Sequence, residues 1–305
     1  TNWVGIWLGT LLGVLAAYQQ FKLPPVLPLL VEHYDYSRVL AGSFMSIYAV
    51  LGLLLSVWAG RRVQRRGLGT TLLLAFGLMM SGNVLGLVGP ESGALMLFSR
   101  ALEGGAYAIL ALIGPVLANA SASQRHLPIA FALTAAWIPN GQIAAGLLSG
   151  LFLARGTWKP LWLVGIGVTC ALALWTLYLI KRDHLSSVSI LHAEPNAAPL
   201  TRAQRRALIL SAGTFMLWST QYFAFMTWLP TFLVEVRGVD QTLAVHGYLV
   251  PVATLLVFVY VAGFLLRAGT PIVPLLAITL LLQASVWLLV PYAEGSAVGV
   301  ALLIF

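Results

Sequence analysis

The stretch LMLFSRALEGGAYAILALIGPVL, Leu95–Leu117, is long enough to cross a bilayer and yet carries two charged side chains, Arg100 and Glu103. A bilayer-spanning helix needs about 20 predominantly apolar residues. A charge within such a helix costs about 3 kcal/mol or more, so it usually faces protein or a water-filled cavity. Lys22 lies inside the first apolar stretch in the same way. These three residues predict a polar pathway through a membrane protein.

The composition of the whole chain agrees with this interpretation. Of the 305 residues, 60% are hydrophobic and 9% are charged, and the mean hydropathy is +0.91. Soluble domains are far more polar. The long stretches are apolar on all sides rather than at every second residue, which excludes a membrane β-barrel. The sequence therefore predicts an all-α polytopic membrane protein.

The apolar stretches predict nine membrane helices and the start of a tenth. Their bounds are about 4–31, 38–59, 69–89, 93–117, 129–153, 160–181, 207–235, 243–266 and 271–290, and the tenth starts near residue 297 and is truncated. The connection 182–206 is polar, and it predicts a cytoplasmic linker between two bundles. We expect a six-helix bundle over residues 1–181 and an incomplete C-terminal bundle over residues 207–305.

The basic residues predict that the N-terminus is cytoplasmic, since cytoplasmic loops carry an excess of lysine and arginine. With that orientation, the inner loops hold most of the basic side chains: Arg61, Arg62, Arg65, Arg66, Arg125, Lys181, Arg182, Arg202, Arg205, Arg206 and Arg267. The outer loops hold only Arg38, Arg155, Lys159 and Arg237. The net charge of +8 is thus read as a topology signal, and no nucleic-acid partner is predicted.

A weak internal repeat indicates two related halves. The first helix ends in YQQFKLPPVLPLLVE, Tyr18–Glu32, and the seventh ends in TQYFAFMTWLPTFLVE, Thr220–Glu235. Both segments pass through Gln, Phe and Pro to a Val-Glu ending. Parallel halves related by an axis along the membrane normal are one way in which transporters are built.

The segment AGRRVQRRGLG between the second and third helices resembles the cytoplasmic loop motif of the major facilitator superfamily. Gly60, Gln64, Arg65 and Gly67 take the motif positions, although the family usually has an acid where this chain has Gln64.

The fourth helix resembles the family pattern of an arginine followed by glycines, with Arg100 and Gly104. In the fifth helix, glycines allow close helix contact, and these are Gly141, Gly146 and Gly150.

This resemblance implies a two-bundle architecture of six plus six helices, in which helices 1, 4, 7 and 10 line a central cavity. QQFKLPPVLP in the first helix, together with the arginine of the fourth, is also loosely similar to the cyanate and nitroimidazole porter branch. The implied function is transport by alternating access, in a multi-pass protein of the plasma or inner membrane. We expect the protein to be a monomer.

The charged residues predict an anionic substrate. Two cations, Lys22 and Arg100, face one carboxylate, Glu103, and an arginine fork matches a carboxylate in two places. Tyr107 follows Arg100 on the same helix face. Glu103 is the candidate for proton coupling, since it could take up a proton when substrate displaces it. Substrate contacts are predicted for Lys22, Arg100 and Tyr107. Either substrate contacts or hydrogen bonds between helices are predicted for Gln19, Gln20, Asn140, Gln142, Gln221 and Tyr222.

Alternatives stay open for these residues and for the function. Arg100 and Glu103 could form an ion pair with a purely structural role, and Lys22 could extend to the outer headgroups. The same fold could export hydrophobic or cationic compounds, or act as a sensor or scaffold without transport. Metalloprotease, hydrolase and nucleotide-binding motifs are not found in the sequence, so we predict no enzyme, cofactor or metal.

Overall fold

The computed structural model describes residues 1–182 and 200–289, and that part of the chain is built from α-helices. The helices are α1 (Trp3–Phe21), α2 (Leu27–Tyr34), α3 (Arg38–Arg66), α4 (Leu68–Val88), α5 (Gly93–Ala120), α6 (Leu127–Ala135), α7 (Trp137–Leu153), α8 (Lys159–Lys181), α9 (Arg202–Glu235), α10 (Gln241–Arg267) and α11 (Ile272–Leu289). The prediction of an all-α polytopic protein is confirmed. The middle of the predicted linker and the predicted tenth helix lie outside the described residues.

Six segments of the described chain are long and apolar enough to cross a membrane. They are α1 through α2 taken together, α3, α4, α5, α8 and most of α10. The predicted fifth span is interrupted at Ala136, between α6 and α7. Pro139 explains the interruption, because its ring would clash with the carbonyl of Ala135 in a continuous helix and it has no N–H to donate.

Prolines also break the first span. Pro24–Val26 form a single 3₁₀ turn between α1 and α2, and Trp3–Tyr34 together are long and apolar enough for one span. A continued α-helix would pair the carbonyl of Gln20 with the N–H of residue 24. Since Pro24 has no N–H, that carbonyl is left open for another donor. The break therefore creates an acceptor in the interior of the protein.

Helix α3, which corresponds to the second predicted membrane helix, is longer than predicted. We expected the membrane helix to end near residue 59, but α3 continues to Arg66 and ends at Gly67, whose φ is +83°. Val63 explains the extension, because its side chain is buried against the neighbouring helices. A left-handed backbone at Gly67 costs little, since glycine has no Cβ.

The helices before residue 182 pack around α1 and α5. Helix α5 contacts α1, α3 and α4, while α1 also contacts α7, and α4 contacts α8. At Gly141 of α7, an added Cβ would lie 2.4 Å from the Cβ of Ala17 and 2.6 Å from the backbone nitrogen of Tyr18. Glycine at this position is therefore needed for the close approach of α7 to α1.

Contacts between the two halves run along α7 and the end of the first span. Helix α10 packs on α7, and α9 packs on α2 and on the 3₁₀ turn. Leu249 of α10 fills the space next to Gly146, whereas Gly150 faces Val245 at ordinary van der Waals distance. Phe21 of α1 stacks on Phe223 of α9, with ring centroids 5.7 Å apart. The halves thus share one apolar cluster that includes Tyr222, Met226 and Tyr248.

Candidate functional site

The three charged residues singled out from the sequence form one buried cluster. Lys22 at the end of α1 and both Arg100 and Glu103 of α5 have no exposed surface. Their side chains meet between α1 and α5, close to the proline break of the first span. Lys22 therefore does not extend to the outer headgroups, and that alternative from the sequence is wrong.

Glu103 lies at the centre of the cluster. Its Oε1 accepts a hydrogen bond from Lys22 Nζ at 2.9 Å, and its Oε2 accepts one from Tyr48 Oη at 2.7 Å. Oε2 also accepts from Arg100 Nη1, so the predicted pair within α5 is present. Three donors on two oxygens suit an ionised carboxylate, which only accepts.

Lys22 is surrounded by oxygens and one aromatic ring. Besides Glu103, its Nζ donates to Gln19 Oε1 and to Asn83 Oδ1, both at 2.6 Å. The ring centroid of Trp162 lies 4.3 Å from Nζ, within the range of a cation–π interaction. An ammonium has three N–H groups, and each of them has an acceptor here.

The two amides that hold Lys22 are themselves fixed by neighbours. Gln19 Nε2 donates to Thr169 Oγ1 at 3.2 Å, and that hydroxyl donates to the carbonyl of Gly165 at 2.6 Å. Asn83 Nδ2 donates to the carbonyl of Met79 at 2.8 Å. Since each amide nitrogen has a carbonyl or hydroxyl acceptor, each amide oxygen points to the ammonium.

Arg100 is anchored to the proline break of the first span. Its Nη1 donates to the carbonyl of Gln19 and its Nη2 to the carbonyl of Gln20, both at 3.1 Å. The second of these is the carbonyl that Pro24 leaves open. The ring of Tyr48 covers one face of the guanidinium, 4.2 Å from Cζ to the ring centroid. The arginine side chain is therefore oriented by both α1 and α3.

The cluster carries an excess of one positive charge. Two cations share a single carboxylate, and the remaining partners named above are neutral amides, hydroxyls, carbonyls and rings. A net charge in a low-dielectric interior is costly unless a counter-charge arrives. The arrangement can therefore attract and hold an anion.

A second polar cluster lies between the two halves and consists of Gln142, Tyr222 and Tyr248. Gln142 of α7 accepts a hydrogen bond from Tyr222 Oη of α9. Its Nε2 lies 3.5 Å from Tyr248 Oη of α10. All three side chains are buried, so the sequence candidates Gln142 and Tyr222 meet each other rather than the charged cluster.

The other residues predicted to contact substrate have different surroundings. Tyr107 packs edge-on against Tyr48, with centroids 5.6 Å apart. Gln20 contributes its carbonyl to Arg100, while in the described residues its Oε1 and the Nε2 of Gln221 have no hydrogen-bond partner. Asn140 is half-buried in the first turn of α7.

The motif glycines of α3 and α5 lie at helix contacts or helix ends. Gly60 faces Leu112 of α5, and at Gly104 an added Cβ would lie 3.1 Å from the Cα of Tyr48. Gln64 and Arg65 belong to the last turns of α3, before Gly67. Helix α3 is thereby held close to the helix that carries the charged pair.

Several residues of the site were not predicted from the sequence. Asn83 and Tyr48 bond the charged groups directly, and Trp162 covers Lys22. Asn83 did carry a usable signal, because it is an amide inside an apolar span, like Gln142. Tyr48 and Trp162 carried none, since aromatic residues are common throughout membrane helices.

Long apolar helices around a buried charged cluster define a polytopic membrane protein of the transporter class. The chain belongs to the major facilitator superfamily, whose family model matches residues 9–305. The family's members are transporters of small molecules and not enzymes. A search of curated proteins finds no significant relative.

Solved structures of transporters share the fold. The chain matches the proton:xylose symporter XylE bound to 6-bromo-6-deoxy-D-glucose with a TM-score of 0.67 and 14% identity, over 100% of this chain and 79% of that one. It also matches a bacterial homologue of the human lysosomal transporter Spinster, in an inward-facing and occupied conformation. That TM-score is 0.65, with 16% identity over 98% of this chain and 70% of the other. At these identities the likeness shows the fold alone.

Proposed function

We propose that the protein is a secondary active transporter that moves a small anionic solute by alternating access, together with a proton. The observation that carries this proposal is the charge of the buried cluster. Lys22 and Arg100 are fully buried and share one carboxylate, Glu103. A site with this excess of positive charge binds an anion in preference to a neutral or cationic solute.

The same geometry gives a route to proton coupling. An anion that binds to Arg100 places a negative charge beside that arginine and so offsets part of the positive charge that stabilises ionised Glu103. A buried carboxylate that loses a cation favours its neutral form, so Glu103 takes up a proton as the anion binds. The total charge stays at plus one, because the anion and the proton arrive together. A site of constant charge can be exposed to either side in turn without an added electrostatic cost.

The roles of the other residues follow from their positions. Gln19 and Asn83 orient Lys22, which contributes its charge rather than a free N–H group. Gln142 and Tyr222 join the two halves, where alternating access requires contacts that open and close. We further propose a monomer with a cytoplasmic N-terminus in the plasma or inner membrane. The narrower similarity to cyanate and nitroimidazole porters stays a prediction.

Uptake by the full-length protein in proteoliposomes tests the proposal. A panel of small anions, including cyanate and short carboxylates, is offered while an entrapped dye reports lumenal pH. We expect at least one anion to change the lumenal pH, and Arg100→Ala to abolish the change. Arg155→Ala is the matched control, because Arg155 is exposed in the connection between α7 and α8. A flat response to every anion, in folded protein, would exclude proton-coupled anion transport.

One observation supports a second candidate function, the export of hydrophobic compounds. Trp218 and Tyr222 of α9 stack with centroids 5.1 Å apart, next to Phe223. Such rings bind flat apolar or cationic compounds. Efflux of a lipophilic dye that falls in Trp218→Ala and is unchanged in Arg100→Ala would favour this function over anion transport.

A further inference from the structure

The two cations of the cluster differ in what they can still offer to a ligand. All three N–H groups of Lys22 donate to oxygens at 2.6 to 2.9 Å. Arg100 donates well from Nη1 to Glu103 and the carbonyl of Gln19, and from Nη2 to the carbonyl of Gln20. Its Nε side has no partner of that quality. A ligand that binds on the Nε side of Arg100 would therefore displace the weakest of the existing hydrogen bonds.

The edge formed by Nε and Nη2 of Arg100 has two weak partners, both on α3. Nε lies 3.4 Å from the carbonyl oxygen of Phe44. Nη2 lies 3.8 Å from the sulfur of Met45. An N–H···O bond is normally 2.7 to 3.2 Å long, and a thioether is a weak acceptor. This edge of a buried guanidinium is therefore poorly satisfied.

We infer that the substrate binds side-on to the Nε–Nη2 edge of Arg100, in the place that the Met45 side chain now covers, and that Met45 limits the size of the anion. This inference rests on the proposed function, since it names the atoms that take the anion. The two parallel N–H groups match the two oxygens of a carboxylate or a similar planar oxyanion. The Tyr48 ring behind the guanidinium holds the edge in orientation.

Met45 is placed to respond to movement of the two halves. It is 6% exposed and belongs to the apolar cluster that also contains Tyr222 and Met226 of α9. A change in the position of α9 relative to α3 would thus alter the packing around Met45. Methionine has three flexible side-chain torsions and adapts to new surroundings more readily than branched residues. The side chain can therefore leave the edge when an anion arrives.

Direct binding of carboxylates to the full-length protein tests this inference. Formate, acetate and benzoate are titrated by calorimetry into wild type and variants in nanodiscs. Wild type should bind formate more tightly than benzoate. Met45→Ala should shift the ratio of the two affinities toward benzoate by about tenfold, the size of effect that pocket volume gives. Leu172→Ala is the matched control, because Leu172 of α8 is 7% exposed, close to the 6% of Met45, and lies in the other apolar cluster.

A second variant keeps the test decisive if Met45→Ala does not fold. Met45→Gln has nearly the volume of methionine and places an amide oxygen, a good acceptor, on the same edge. It should weaken the binding of all three carboxylates by about tenfold, a change of 1.4 kcal/mol. Unchanged affinities and an unchanged ratio in both variants overturn the role of Met45. The proposed function survives that result if Arg100→Ala still abolishes binding. Wild type that binds none of the three carboxylates overturns this inference, whereas the proposed function is overturned only by a flat response to the whole anion panel in proteoliposomes.

Discussion

The segment at the end of α1 and the segment at the end of α9, which is the seventh helix predicted from the sequence, have related sequences and different structures. The segments Tyr18–Pro28 and Thr220–Pro230 align without gaps around Phe21 and Phe223, which stack on each other across the two halves. The second segment then has one extra residue before the shared Val-Glu ending. Lys22, the next residue on α1, corresponds to Ala224 on α9. The lysine is therefore present in only one half, although the surrounding sequence pattern occurs in both.

The backbone differs at the same place. Pro24 and Pro25 break the first span, whereas the aligned Met226 and Thr227 leave α9 continuous from Arg202 to Glu235. Only the broken segment leaves a carbonyl open for Arg100. The N-terminal half therefore supplies an ionic site with freed backbone acceptors, and the C-terminal half supplies hydroxyls and rings. The comparison shows that two related segments differ in chemistry where one has Lys22, Pro24 and Pro25 and the other has Ala224, Met226 and Thr227.

Removing the central carboxylate should have the largest effect on stability. Glu103→Leu leaves two buried cations without a counter-charge, and breaking a buried ion pair costs about 3–5 kcal/mol. Gln142→Leu in the cluster between the halves leaves two tyrosine hydroxyls unpaired, at about 1–3 kcal/mol. Thermal unfolding of both variants in the same detergent measures the difference. Equal losses of stability in the two variants would contradict the view that the charged cluster contributes more to stability than the polar cluster between the halves.

The stacked phenylalanines should give an intermediate effect that is shared between the halves. Because Phe21 and Phe223 touch each other, Phe21→Ala and Phe223→Ala should not be additive. We expect a coupling free energy of about 0.5–1.5 kcal/mol from the double-mutant cycle. The same cycle with Phe21 and the distant Phe76, a buried phenylalanine of α4, provides the control. Additive losses in the first cycle would show that the halves are apart at this point.

The exposed ion pair between the halves should have the smallest effect. Arg38 Nη2 lies 2.7 Å from Glu235 Oε2, but the arginine side chain is 76% exposed. Surface pairs of this kind contribute about 0.2–1 kcal/mol and are screened by salt. Arg38→Ala should therefore lower the unfolding temperature slightly in low salt and not at all in high salt. A large loss that salt does not reduce would mean that this pair joins the halves more firmly than its exposure indicates.

The sequence predicted the helices and the charged residues because both follow from the cost of polarity in a bilayer. Lys22, Arg100 and Glu103 had to find partners inside the protein, and the prolines after Lys22 had to free carbonyls. The identity of those partners could not be predicted. Asn83 and Tyr48 come from other helices, and a single sequence gives the depth of a residue but not which neighbour it faces.

Two other features of the site arise only in the folded protein. The poorly satisfied edge of Arg100 is defined by its distances to the Phe44 carbonyl and the Met45 sulfur, and neither residue type signals a site in a sequence. Gln142 and Tyr222 were predicted to contact either substrate or another helix, because burying an amide or a hydroxyl without a partner is costly. That cost is met equally well by pairing with each other, which is what these side chains do.

The central claim is that an anion and a proton move together through Glu103. Its most direct test compares wild type with Glu103→Gln in proteoliposomes, with labelled-anion exchange and lumenal pH followed in parallel. The glutamine resembles the protonated acid and has no proton to gain or lose. We predict that the variant still exchanges the anion across the membrane but no longer moves protons with it. Proton movement that follows the anion equally in both proteins would contradict the claim.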